Sequence, residues 1–196
     1  MICATGITYY DIISPRFSKV KNFQNLFIKT IGTRLNEKSV TIRPYRTGDA
    51  RGVIGIMRGV FIDEYGWTTA FLREAVRTLR KMLMTMIPSR ELFLVCKSRE
   101  GLCGVMFLKE AEEDTAFIRW LVVKRGYRRY GIGRKMLDMA LEFSREVGYC
   151  KVKLITVGVL HEAMDLYRSV GFVEVDQKET VLWNMEMTVY HMEISL

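Results

Sequence analysis

The sequence predicts an α/β (α+β) protein built on one mixed sheet of about six to seven strands, flanked by about four helices. Three observations predict it. Apolar residues recur with period two in some stretches and at three- and four-residue steps in others, the marks of half-buried strands and amphipathic helices. The stretches run strand, two helices, three strands, helix, strand, helix, two strands. Neighbouring strands are therefore joined first by turns and then by helical crossovers, which gives antiparallel and parallel pairs in one sheet. The composition, 49% hydrophobic and 27% charged over 196 residues, suits a globular chain with a sizeable core.

The elements follow in order. Val40–Tyr45 reads as a strand and Pro44–Asp49 as a turn. Ala50–Phe61 is helical by Val53, Ile54, Met57, Val60 and Phe61. Thr68–Met86 is a longer helix with Leu72, Ala75, Val76, Leu79, Leu83 and Met86 on one face, stopped by Pro88. Glu91–Lys97, Leu102–Lys109 and Thr115–Lys124 are extended, and the polar turn Ser98–Gly101 makes the first two a hairpin. Gly133–Val147 is a helix closed by Gly148, Lys151–Val157 a strand, and Leu160–Val170 a helix closed by Gly171. Phe172–Asp176 and Val181–Ile194 are the last strands. In the final one, Val181, Trp183, Met185, Met187 and Val189 alternate, but Met192, Ile194 and Leu196 are out of phase, which predicts a bulge or break near Tyr190–His191.

Residues 1–39 form an extension to the domain at 40–196. From Arg16 to Lys38 there are six Lys/Arg and one acid, Glu37. Phe17, Val20, Phe23, Phe27 and Ile31 give this stretch an amphipathic helical spacing. A helix docked on the domain or on a partner subunit fits it, and so does a basic arm for nucleic acid or a membrane surface.

The formal net charge is +8. Nucleic acid, an anionic membrane or an anionic small molecule would all suit such a balance. The cysteines Cys3, Cys96, Cys103 and Cys150 form no CxxC pair and no zinc-spaced cluster with histidine. Free thiols and a cytoplasmic location are expected, with no metal. The N-terminus lacks the basic region of a secretory signal, and no run of about 18 apolar residues exists. Cys150 begins a strand and is expected to pack rather than react.

Charge placement is more informative. The segment from Leu121 to Leu137 reads LVVKRGYRRYGIGRKML: a strand end, a loop with Gly126, Gly131 and Gly133, and at once a helix. The first N–H groups of a helix lack internal partners and carry the positive end of its dipole, so such a bend binds phosphate. Seven Lys/Arg and no acid lie between Arg119 and Lys135. Two nucleotide loops fit badly. Ile132-Gly133 stands where a Walker A loop needs Lys-Ser/Thr, and Met136 stands where a dinucleotide fingerprint needs its third glycine.

The spelling Arg128-Arg-Tyr-Gly131-Ile-Gly133 is similar to the R-x-x-G-x-G pyrophosphate loop of the GNAT superfamily of N-acetyltransferases. The resemblance continues in Tyr167-Arg-Ser-Val-Gly171-Phe172, at the order and distance usual there, and covers about residues 40–196. Glu64-Tyr65-Gly66-Trp67 and Trp120-Leu-Val-Val resemble the branch that includes the acetyltransferase halves of MarR-type fused regulators. No winged-helix half is present here.

The resemblance implies a sheet splayed near its middle and transfer of an acetyl group from acetyl-CoA to an amine within a ternary complex. It implies that backbone amides at Arg128, Arg129, Tyr130, Gly131, Ile132, Gly133 and Arg134 hold the coenzyme A diphosphate. Leu121, Val122 and Val123 would pair with the pantetheine arm like an added strand, and an N–H near Val123 would face the developing oxyanion. Tyr167 matches the acid that protonates the leaving thiolate. The family often has Pro at Arg125, Gly at Arg129 and Asn at Leu160; His161 is a candidate to replace the missing polar contact.

The base is not readable. Phe117 stands where some members carry a carboxylate. Glu64 is the expected substitute, with relay through water as the alternative. Arg119 would pair with a substrate carboxylate, or with Asp114 or Glu112, and Tyr65 and Trp67 would shape the acceptor pocket. A non-catalytic acyl-CoA sensor is the alternative function. The expected partners are a coenzyme A thioester and an amine, with no nucleic acid and no membrane. Homodimers are frequent in the family, and the apolar final strand is the expected contact.

Overall fold

The computed structural model describes residues 39–196; the expected N-terminal amphipathic helix lies outside the described residues. The elements are β1 (Thr41–Pro44), α1 (Ala50–Met57), α2 (Thr69–Thr85), β2 (Leu92–Ser98), β3 (Gly101–Glu112), β4 (Thr115–Val123), α3 (Ile132–Val147), β5 (Lys151–Val157), α4 (His161–Val170), β6 (Val173–Leu182) and β7 (Met185–Ser195). One seven-stranded sheet has the order β1-β2-β3-β4-β5-β7-β6. Only β4 and β5 are parallel, joined by the crossover through α3.

Successive residues of β2 and β3 are buried on opposite faces, because the sheet is covered on both. Leu92, Leu94, Met106 and Leu108 pack with Met136, Leu137, Ala140 and Phe143 of α3. Phe93, Val95, Val105 and Phe107 pack with Val53, Ile56 and Met57 of α1 and with Phe71, Ala75 and Leu79 of α2. Two covered faces explain why these strands read as continuous apolar runs.

Three sequence expectations are corrected. First, the strand read as Val181–Ile194 is two strands. A two-residue turn, Trp183-Asn184, reverses the chain with φ of 50° and 66°, so β6 is longer than Phe172–Asp176 and β7 begins at Met185. Second, β7 has no bulge at Tyr190–His191 and pairs with β5 without a shift from Val189 to Ser195. Its apolar phase changes because Met187 and Val189 pack on the α1–α2 side while Met192 packs on the α3–α4 side. The irregularity lies on β6, between Glu174 and Asp176. β6, and not β7, is the sheet edge. Third, Cys150 is exposed rather than packed.

Candidate active site

The site begins where the sheet opens. β4 pairs with β5 from Thr115↔Lys151 to Ile118↔Leu154 and no further. On the other edge of β4, Trp120 faces Phe107 and Ile118 faces Leu108, so Arg119 is an extra residue, a bulge. The bulge reverses the strand's phase: Ala116 and Ile118 pack on the α3–α4 side, Trp120 and Val122 on the α1–α2 side. Bulges bend a strand and end pairing. Beyond Arg119 the β5-facing edge of Leu121–Val123 has no strand beside it.

The loop after β4 enters α3 through Gly131, which has φ 76°. An L side chain rarely adopts that backbone, and glycine does so without cost. The first α3 bond runs from Lys135 N–H to the Gly131 carbonyl. No side chain caps this end, and the amides of Ile132, Gly133 and Arg134 have no acceptor among the described residues. A Cβ on Gly133 would stand 3.2 Å from Leu166 Cδ2, so the glycine lets α4 approach the bend. Uncapped amides, a helix dipole and surrounding Lys/Arg fit a diphosphate.

A cleft of about 380 Å³ joins this bend to the splay. Leu121–Val123, Arg128, Arg129 and Gly131–Arg134 line it, as does Tyr167 of α4. Tyr130 does not; it is half-buried against the α3–α4 side of the core. The Tyr167 side chain is 5% exposed and its hydroxyl has no partner among the described residues. Burial pushes the phenol above its ordinary value, so it stays protonated at neutral pH.

The opposite wall comes from a stretch the sequence presented as ordinary helix. After Met57 the chain winds as a π-helix over Arg58–Glu64, with Tyr65 N–H bonding the Val60 carbonyl at 3.1 Å. Such wide turns are rare and are frequent at functional sites. This one puts Val60, Phe61 and Tyr65 on the cleft wall. Trp67 does not line the cleft. It is core, stacked on Trp183 at 5.1 Å and edge-on to Phe71 at 5.0 Å.

Glu64, the expected proton acceptor, is not among the residues that line the cleft. Its two oxygens accept bonds from Arg128 Nη1 at 2.5 Å and Nη2 at 2.9 Å. Arg119 is exposed and pairs with neither expected acid: Asp114 accepts the Thr115 hydroxyl and Glu112 meets Lys153. Leu160 begins α4 without a side-chain cap, and His161 is exposed and not on the wall. Glu162, Asp165 and Ser169, which sequence reading passed over, do line the cleft. Their three- and four-residue spacing on one helix face was the available signal.

A splayed mixed sheet with a basic, glycine-rich bend at a helix start defines a coenzyme A-type acyltransferase architecture. Residues 50–172 match the family described as acetyltransferase (GNAT) family, and the chain belongs to that family. N-acetyltransferase family 8 member 3 of Rattus norvegicus is 33% identical over 85 residues, which are 41% of this chain and 37% of that one. N-acetyltransferase 8 of Homo sapiens is 30% identical over 96 residues, 46% and 42% of the two chains. The chain spans about half or less of the length of the curated relatives it matches. Among solved structures, Salmonella typhimurium YncA with its cofactor acetyl-CoA has a TM-score of 0.63 at 16% identity, covering 80% of this chain and 94% of that one. The ribosomal-protein-S18-alanine N-acetyltransferase of Escherichia coli has 0.62 at 18%, covering 80% and 93%. Both show the shared fold.

Proposed function

We propose that this chain is an N-acetyltransferase that moves an acetyl group from acetyl-CoA directly to an amine. The observation that carries the reading is the cleft itself, which runs from the uncapped start of α3 to the Tyr167 side chain at the place where β4 and β5 part. Acetyl-CoA supplies the activated acyl group as a thioester. Ile132–Arg134 at the start of α3 offer backbone amides to its diphosphate, and the edge of Leu121–Val123 that faces away from β3 offers strand-like pairing to its pantetheine arm, with the Val123 carbonyl already taken by Arg128 Nε. These contacts align the acyl carbon with the incoming amine, which lowers the entropic part of the barrier.

The amine must arrive neutral and lose a proton after attack. The carboxylates that line the cleft, Glu162 and Asp165, stand on α4 and not on the π-wound turn, and water is the proposed route for that proton. Tyr167 holds its own proton at neutral pH and is the proposed donor to the departing sulfur. The π-wound turn, with Val60, Phe61 and Tyr65, would form the acceptor side.

Titration with coenzyme A followed by a thiol-release assay over an amine panel tests this. Saturable binding with acetyl-dependent thiol release on at least one amine is expected. Binding with no turnover on any acceptor would support an acyl-CoA sensor, and absence of binding would remove the reading.

A further inference from the structure

Arg128 opens the loop that leads into α3, and its backbone N–H donates to the Arg125 carbonyl at 3.2 Å. Its side chain is engaged elsewhere. Nε donates to the Val123 carbonyl at 3.0 Å. Nη1 and Nη2 donate to the two Glu64 oxygens at 2.5 and 2.9 Å, and Nη1 stands 3.5 Å from Glu162 Oε2. The guanidinium lies 5.8 Å from the centre of the Tyr65 ring. Guanidinium has five N–H donors; three of them make these hydrogen bonds, and Glu162 adds an ion-pair contact. Little of it is left to greet a phosphate.

The three acceptors belong to three elements: the end of β4, the π-wound turn and the first turn of α4. The pair is also sheltered, with Arg128 and Glu64 side chains 19% and 18% exposed, so water screens it less than a surface pair. A planar fork on a carboxylate admits one relative placement of the partners. Glu64 directly precedes Tyr65 and ends the turn that carries Val60 and Phe61, the acceptor-side wall.

We propose that the Arg128–Glu64 pair is a strut that couples the donor loop to the acceptor wall, which makes Glu64 a positioning residue. Ordering of the loop by coenzyme A fixes Arg128, Arg128 fixes Glu64, and the turn from Arg58 to Trp67 is held in its receptive shape. By linkage, an acceptor that orders this turn tightens the donor site by the same factor. The inference rests on the donor reading only in requiring that coenzyme A occupy the loop.

Hydrogen exchange on the full chain, with and without coenzyme A, tests it in the wild type, Glu64→Gln and Arg128→Lys. In the wild type, coenzyme A should slow exchange both at 128–135 and at 58–67. Glu64→Gln keeps the shape and loses the charge; it should bind coenzyme A about tenfold more weakly and show protection at 128–135 alone. Arg128→Lys keeps the charge and loses the fork, and should behave alike. Thermal stabilities of the two single variants and the double variant should be non-additive. Full protection of 58–67 in Glu64→Gln would overturn the strut. So would unchanged coenzyme A affinity with turnover reduced a hundredfold or more, the result of a proton acceptor. Wild-type protection confined to 128–135 defeats the coupling alone, whereas a wild type that binds no coenzyme A defeats the donor reading and the coupling with it.

Discussion

Ile118 faces Leu154 in the parallel ladder, and beyond that pair β4 and β5 part. The next residue, Arg119, is the bulge on the opposite edge of β4. One extra residue thus ends a ladder, turns the strand's apolar side over and leaves Leu121–Val123 with an open edge. The cleft exists because of that coincidence, and its chemistry comes from what the following loop and α4 bring to it.

Tyr167→Phe removes one hydroxyl that has no partner among the described residues. Folding stability should be nearly kept, because no hydrogen bond to a described residue is lost. Coenzyme A affinity should change little. Turnover should fall about a hundredfold or more, if the phenol donates the proton. Steady-state kinetics beside a binding titration reads both quantities.

The pH profile follows from the same phenol. Burial raises its pKa above the ordinary value of about 10, so the donor form persists through neutral and mildly basic pH. No falling limb should come from Tyr167 below about pH 10. A basic limb between pH 7 and 9 that disappears in Tyr167→Phe would contradict the burial argument.

Arg129 sits at φ 64° in the loop, where an L side chain costs roughly 1–2 kcal/mol. Glycine removes that strain but loses about 0.5–1 kcal/mol through the unfolded chain. Arg129→Gly should therefore stabilise by up to about 1 kcal/mol, a rise of about 2–4 °C in Tm. Differential scanning calorimetry checks it.

Gly133 separates a steric effect from an electrostatic one. A Cβ there meets only the flexible end of Leu166 at 3.2 Å and Val123 Cγ2 at 3.9 Å. Gly133→Ala should fold and bind coenzyme A with a loss of less than about tenfold, since Leu166 can yield by a few tenths of an ångström. Gly133→Asp adds a carboxylate at the bend and should abolish binding. Equal affinity in the two variants would show that no diphosphate sits there.

The turn between β6 and β7 offers a contest of magnitudes. Trp183→Gly relieves about 1 kcal/mol of left-handed strain but removes a ring that stacks on Trp67 and meets Phe71 edge-on. Losing a partly buried aromatic costs about 2–3 kcal/mol, so the variant should be less stable. Asn184→Gly, with φ relief and no ring to lose, should be neutral or more stable. Urea denaturation of both decides the sign.

Much of this fold was legible because period and punctuation agreed. Gly148 and Gly171 close α3 and α4 in left-handed conformations, and the Ser98–Gly101 turn joins β2 to β3. The β6–β7 turn escaped notice because Val181, Trp183, Met185, Met187 and Val189 alternate straight through it in sequence, with no Gly or Pro to mark it, although it is Leu182 and not Val181 that shares the Met185 face. The π-wound turn was hidden because one extra residue per turn barely disturbs a three-to-four spacing. In the candidate site, the glycine bend and Tyr167 were readable from local spelling. The meeting of Glu64 with Arg128 was not, since 64 residues separate them and nothing local in either segment names the other.

The central claim is that amides at the start of α3 hold the diphosphate of coenzyme A. Its most direct test is the ¹H–¹⁵N NMR spectrum of the full chain during titration with coenzyme A, followed at Gly131, Ile132 and Gly133. These amides should move together, saturably and with one dissociation constant, and should be the largest shifts in the spectrum. Shifts that cluster elsewhere while these three stay still would contradict it.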